Sequence, residues 1–235
     1  MSYTWTPNDY ATLVQLSEAQ NPPIDPSAPA LLFYEESGMD PSNPGPVSAN
    51  PPVGGLNQMN VPNLQALGFS RSQWLSMSAS EQMPIIFNWW AGLAKNDNRG
   101  QFPSDAGMLL AMNFLPGRFR DVVAGSNVDA PLAAAAGPYA SIYNDQHALL
   151  DPNSTGAITV NTCRTYLSNV ANHAGARWQN IIAKIQAAGG TVNVAVAGPS
   201  IWATVLGGLV LGSAAYLAYE AYVLRLRPTR RRRFA

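Results

Sequence analysis

The stretch Pro29-Ala30-Leu31-Leu32-Phe33-Tyr34-Glu35-Glu36-Ser37-Gly38-Met39-Asp40-Pro41 opens apolar and ends in two carboxylates and a turn. Pro29 suits a first helical turn and Gly38 suits the left-handed residue that closes a helix, so a helix is predicted over 30–36. A second block, Gly55-Leu56-Asn57-Gln58-Met59, is a glycine-opened turn carrying polar side chains. Residues 38–55 are rich in proline and glycine and read as a loop.

Outward from these blocks the chain reads as helices. Residues 9–19 form a short helix stopped by Asn21-Pro22-Pro23. Ser70 with Gln73, and Ser78 with Glu81, have capping-box spacing. They predict helices over 73–77 and 79–94, with Pro84 kinking the second or shifting its start. A further helix over 105–115 stops at Pro116-Gly117, and short helices follow near 131–136 and 138–148. Leu167, Val170, Ala174, Trp178, Ile181 and Ile185 recur at three- and four-residue spacing, which predicts one amphipathic helix over 161–188. Only Thr191–Val196 alternates like a strand, and it also reads as a linker. The expected fold class is mainly α, and no internal repeat is evident.

The 14 basic and 14 acidic residues cancel, but unevenly. Six arginines fall in 225–235, leaving 8 basic and 14 acidic residues in 1–224. The body therefore lacks the basic face that nucleic-acid binding needs. With Cys163 alone, no intrachain disulfide is possible. The polar segment 1–9 is unlike a signal peptide. His147 and His173 have no ligand-spaced partners, so neither a metal, a cofactor nor a nucleophilic triad is indicated.

From Ile201 to Leu224 the only charged residue is Glu220. As a helix this stretch is roughly 36 Å long, enough to cross a ~30 Å hydrocarbon core. Trp202 stands at one end, and Tyr216, Tyr219 and Tyr222 toward the other. The arginine tail then marks the cytoplasmic side, which places the body outside the cytoplasm. The competing reading is a buried core helix. Gly208 and Gly212 have the spacing that lets membrane helices pair, so a homo-oligomer through them is a weak expectation. The domain boundaries read as 1–160 for the main domain, 161–190 for the amphipathic helix packing on or linking from it, 191–200 for a linker, 201–224 for the span and 225–235 for the basic tail.

Cleaving a glycosidic bond needs a protonated carboxyl beside the leaving oxygen, and an apolar setting keeps a glutamate protonated near neutral pH. Glu36, between Leu31–Tyr34 and Met39, has that setting. Here a resemblance enters. Glu36-Ser37, Met39, Pro41 and Gly55-Leu56-Asn57-Gln58 resemble the signature of lysozyme-like lytic transglycosylases and goose-type lysozymes, phage virion-associated members above all. Asn113-Phe114-Leu115-Pro116 and Tyr139-Ala140-Ser141-Ile142-Tyr143-Asn144 add to it, with Ile142 where the family's third motif has alanine. The likeness covers roughly residues 10–165. It departs at Pro52-Val53-Gly54, where the family has a Gly-Ala pair, and in the longer spacing between the first two motifs.

The resemblance implies a lysozyme-like domain that cuts peptidoglycan glycan strands. Glu36 would be the general acid and then the base on the C6 hydroxyl of N-acetylmuramic acid. Ser37, Asn57, Gln58 and Tyr143 would contact the sugar or orient the acid. A hydrolytic lysozyme would need a second carboxylate; Asp40, Asp97 and Asp105 qualify by position only, and Glu35 reads as a solvated neighbour. Trp89-Trp90 reads as core before sugar platform. Asp151-x-Asn153-x-Thr155-Gly156 resembles the start of a calcium loop, but Thr162 stands where the bidentate carboxylate belongs, so a plain turn is the stronger reading. The implied setting is a virion that delivers the domain and a membrane that anchors it, with membrane lipid and other virion proteins as partners. The rival expectation is a non-catalytic, membrane-embedded virion protein on the same fold.

Overall fold

The computed structural model describes residues 3–47, 51–97, 100–124, 127, 129–151 and 153–192, without the side chains of 96, 97, 123, 124 and 145. The span and basic tail expected over 201–235 lie outside the described residues, as do 193–200. No helix among the described residues is long and apolar enough to cross a membrane. The fold is mainly α, with ten helices and two minimal hairpins in the described part.

Helix α1 (Pro7–Glu18) begins two residues earlier than the apolar pattern suggests. Thr6 and Asp9 form a reciprocal cap that fixes the start: the Thr6 amide donates to Asp9 Oδ2 at 2.8 Å. Asp9 is buried and also accepts the Ser80 amide at 2.9 Å, so one carboxylate caps α1 and ties it to a distant segment. Helix α2 (Ser27–Ser37) runs through the core, with Ala30, Leu32 and Phe33 fully enclosed. Phe33 stacks on Trp90 with centroids 5.6 Å apart. Gly38, at φ 66°, closes α2 by the left-handed route, its amide on the Tyr34 carbonyl and that of Met39 on Phe33.

The loop after α2 returns as strands β1 (Val53–Gly54) and β2 (Met59–Asn60), antiparallel with Val53 opposite Asn60. Short helices α3 (Val61–Ala66) and α4 (Arg71–Ser76) follow, the latter started by the Ser70–Gln73 box. Helix α5 (Ala79–Asp97) begins where Ser78 and Glu81 cap it and continues through Pro84. Gln82 on α5 is fully buried and holds the two sequence blocks together. Its Oε1 accepts the Leu56 amide at 2.9 Å, and its Nε2 donates to the Pro41 and Trp74 carbonyls, both at 2.8 Å. Arg71 adds bonds to the carbonyls of Val53 and Pro44. The long loop is thus fixed by side chains where no ladder is available to satisfy its backbone.

Helix α6 (Ala106–Phe114) is capped by Asp105, and α7 (Pro116–Ala124) follows at once. Pro116 therefore opens a helix instead of ending the region, since its missing N–H costs nothing at a first helical position. The alanine run expected to be helical is instead strand β3 (Ala133–Ala134), paired beyond α8 (Ala140–Leu150) with β4 (Ala157–Ile158). Pro131 and Gly137-Pro138 bound a run too short to offset helix nucleation, and the backbone pairs with 157–158 instead. The single helix expected over 161–188 is two, α9 (Val160–Ala174) and α10 (Ala176–Ala187), broken at Gly175 with φ 52°. The break lets α9 pack on α6 and α2 while α10 packs on α1. Val160, Cys163 and Leu167 of α9 belong to the same core as α2.

Replacing Gln82 by leucine leaves the buried Leu56 amide and Pro41 carbonyl without their partner. A loss of about 3 kcal/mol in urea-denaturation stability is expected. A loss under about 1 kcal/mol would show that the loop does not depend on this amide.

Candidate functional site

The last turn of α2 opens into a cleft. Glu35 and Glu36 both line it. The β1–β2 turn supplies Asn57 and Gln58 on the facing side of the sequence, and β2 and α3 supply Asn60 and Asn63. Asn60 also caps α3, accepting the Asn63 amide at 2.9 Å. Asn113 of α6, Trp89 of α5, Tyr166 of α9, and Leu149 and Leu150 of α8 complete the wall. Five side-chain amides and three aromatic rings, those of Trp89, Phe114 and Tyr166, therefore surround two carboxyl groups. No lysine, arginine or histidine is among the described lining residues.

Burial dominates the electrostatics. It pushes the Glu36 carboxyl up to about 8, helped second by the charge of Glu35. Burial alone pushes Glu35 up to about 7. A carboxyl taken out of water without a cation nearby favours its neutral form. At neutral pH, Glu36 is therefore mostly a proton donor. The Tyr166 hydroxyl donates a hydrogen bond to Glu35 Oε1.

Asn57 is only 3 % exposed, and neither atom of its amide has a hydrogen-bond partner among the described residues. A buried amide left unpaired costs stability, so its use lies with something that enters the cleft. Gln58 takes the left-handed conformation at φ 47° and donates to the Gly55 carbonyl at 3.0 Å. Gly55 itself sits at φ 80°, and a Cβ there would fall 2.1 Å from the Trp74 indole nitrogen. The turn that presents Asn57 thus needs glycine at that position.

Two expected site residues lie elsewhere. Ser37 is buried, is not part of the cleft lining, and donates to the Phe33 carbonyl at 2.9 Å, back along its own helix. Tyr143 is also outside the lining. It donates to Asp151 Oδ2 at 2.9 Å and stacks on His147. Asp151 accepts further bonds from the Thr155 amide and hydroxyl and the Gly156 amide, all at 2.9 Å. Its oxygens are filled by the chain, so the segment that resembles a calcium loop is a turn clasping β3 to β4. Among the described residues no group of three or more acidic, histidine or cysteine side chains is placed to hold a metal.

Other residues move into the site. Glu35, expected to be solvated, lines the cleft because the helix end is enclosed by α9 as well as by the β1–β2 turn. Tyr166 brings the phenol that Tyr143 does not. Its position three residues after Cys163 and four before Val170, on an apolar face, was the available signal. Trp90 is core, while Trp89 reaches the cleft. Asp40 turns back onto Ser42, and Asp105 caps α6 and pairs with Arg164 at 2.6 Å. The Asp97 side chain lies outside the described residues. Glu35 is accordingly the one other carboxyl among the described lining residues.

The raised Glu36 value fixes a sign for stability. Between about 4.5 and about 8 the folded chain holds a proton that the unfolded chain releases, so Glu36 makes the fold less stable as pH rises through that window. Glu36→Gln is expected to melt higher than the parent at pH 8 and close to it at pH 4.5. Equal melting temperatures at both values would contradict a desolvated, neutral Glu36.

Comparison with known proteins adds no match: no family model, no curated protein and no solved structure matches this chain.

Proposed function

We propose that this chain cleaves the glycan strands of peptidoglycan as a lytic transglycosylase of the lysozyme-like superfamily, with Glu36 as acid and base. The observation that carries the reading is a carboxyl kept neutral at physiological pH inside a cleft of uncharged amides. Each amide offers donors and an acceptor together, which suits sugar hydroxyls and N-acetyl groups. Trp89 supplies an apolar face for a sugar ring. The lack of cations among the described lining residues disfavours phosphate ligands and nucleic acid.

In the proposed reaction Glu36 gives its proton to the glycosidic oxygen as the bond to C1 breaks. The resulting carboxylate takes the proton of the C6 hydroxyl on the same N-acetylmuramic acid residue. That oxygen then bonds C1, and a 1,6-anhydro end forms with no water consumed. Asn57 and Gln58 contact the sugar; Ser37 and Tyr143 support the helix end and the β3–β4 turn.

Glu35 gives the hydrolytic alternative a specific footing, since it is a second carboxyl in the cleft. An inverting hydrolase needs its carboxyls on opposite faces of the sugar, roughly 6.5–9.5 Å apart. Glu35 and Glu36 are consecutive on one helix, which favours the route with a single acid and base. The proposed setting is a virion-associated protein used for local wall opening during genome delivery, anchored in a membrane through 201–224. The rival is a non-catalytic membrane-embedded virion component.

The full-length chain in detergent should clear purified peptidoglycan in a gel overlay, and Glu36→Gln should lose at least about 100-fold in rate. The parent rate should fall as pH rises through about 8, where Glu36 loses its proton. Equal clearing by parent and Glu36→Gln would sink the assignment of the acid. Clearing by neither would favour the non-catalytic role.

A further inference from the structure

Two carboxyl groups share this cleft, and one acid suffices for the reaction proposed above. We propose that Glu35 and Tyr166 act as a positioning pair for Glu36: the Tyr166 hydroxyl donates to the Glu35 carboxylate, holds the negative charge of the two-carboxyl set there, and leaves the proton on Glu36. The inference rests on the reading of Glu36 as the general acid.

The geometry supports it from several sides. Glu35 and Glu36 leave the same helical turn and both line the cleft. Tyr166 comes from α9, which packs directly on α2, and its hydroxyl is bonded to Glu35 Oε1. The phenol is only 9 % exposed and so is held in place by the core. Glu36 has no corresponding hydrogen bond given from Tyr166. A donor on one carboxyl of a close pair stabilises the ionised form of that one, and the like charge then keeps the proton on its neighbour.

Among the described residues no other titratable group nearby is placed to do this. Helix α6, the other main partner of α2, carries no titratable side chain between Ala106 and Phe114. On α9, Cys163 is buried with its thiol pushed up to about 12, and Arg164 is engaged by Asp105 at 2.6 Å. The β1–β2 turn and α8 present Asn57, Gln58, Leu149 and Leu150, all uncharged. Neighbouring Tyr34 on α2 packs at an angle against Trp178. The unpaired Asn57 amide marks the same space as the place a ligand enters, so the proton left on Glu36 faces a binding cleft.

The pair also has a use after the first proton transfer. Once Glu36 is ionised beside an ionised Glu35, mutual repulsion makes it a stronger base toward the C6 hydroxyl. One tyrosine–glutamate bond would thus assist both halves of the reaction without touching the sugar.

The test is a titration of the full-length chain in detergent, with glutamate labelled at the side-chain carboxyl carbon and followed by NMR. Signals for Glu35 and Glu36 are assigned by their loss in Glu35→Gln and Glu36→Gln. In the parent the Glu36 midpoint is expected near 8 and that of Glu35 below it. Glu35→Gln should lower the Glu36 midpoint by about one pH unit. Tyr166→Phe should raise the Glu35 midpoint and narrow the gap between the two. An unmoved Glu36 midpoint in Glu35→Gln overturns the proposal, and so does an unchanged gap in Tyr166→Phe. If Tyr166→Phe does not fold, Glu35→Gln decides alone. Peptidoglycan cleavage by the same samples separates the two ideas. Cleavage with unmoved midpoints leaves the acid assignment and removes the pair. Moved midpoints without any cleavage by the parent leave the pair and remove the glycan-cleaving reading.

Discussion

Helix α2 passes through the interior with Ala30, Leu32 and Phe33 enclosed, and its last turn then carries two half-buried glutamates into the cleft. This burial is the constraint on which the site depends. Moving a carboxyl from water into protein favours the neutral acid, and no cation among the described lining residues restores the charged form. A fold selected for stability alone would place amides or alkyl groups at this helix end. Keeping Glu35 and Glu36 there costs stability across the neutral range, the usual signature of a site held against the preference of the fold.

A second constraint is the long loop between α2 and the β1–β2 turn. It has almost no ladder of its own, and its polar backbone is satisfied by Gln82, Arg71 and Trp74. These side chains place the Asn57 turn opposite Glu36 although the two lie far apart in the chain. Val53-Gly54, where the resemblance breaks down, forms the strand β1, and Gly54 accepts the Trp74 indole N–H at 3.0 Å. The departure therefore falls on a segment with a structural task here, not on the residues that face the cleft.

Much of the helical order was legible because its signals are local. The Ser70–Gln73 and Ser78–Glu81 caps, the glycine after α2 and the turn at Gly55 all read from a few adjacent residues. Glu36, Asn57 and Gln58, chosen on motif and setting, meet in one cleft. What escaped depends on distant packing. The apolar stripe runs unbroken through Gly175, so periodicity alone could not separate α9 from α10, which pack on different partners. The alanines at 133–134 pair with 157–158, a segment set by the Asp151 clasp and invisible to local propensity. Tyr143 sits in a stretch that looks like a site motif but spends its hydroxyl on Asp151, whereas Tyr166, in no motif, reaches Glu35 because α9 lies against α2. Glu35 was read as solvated since one helical step separates it from Glu36 by about 100°, and only the enclosure of the helix end from two sides buries both.

The central claim is that a single buried acid and base cuts the strand without water. Digesting peptidoglycan with the full-length chain in water labelled with heavy oxygen, then weighing the new glycan ends by mass spectrometry, tests it most directly. The account predicts 1,6-anhydro ends that carry no label. New reducing ends that carry the label at C1 would contradict it.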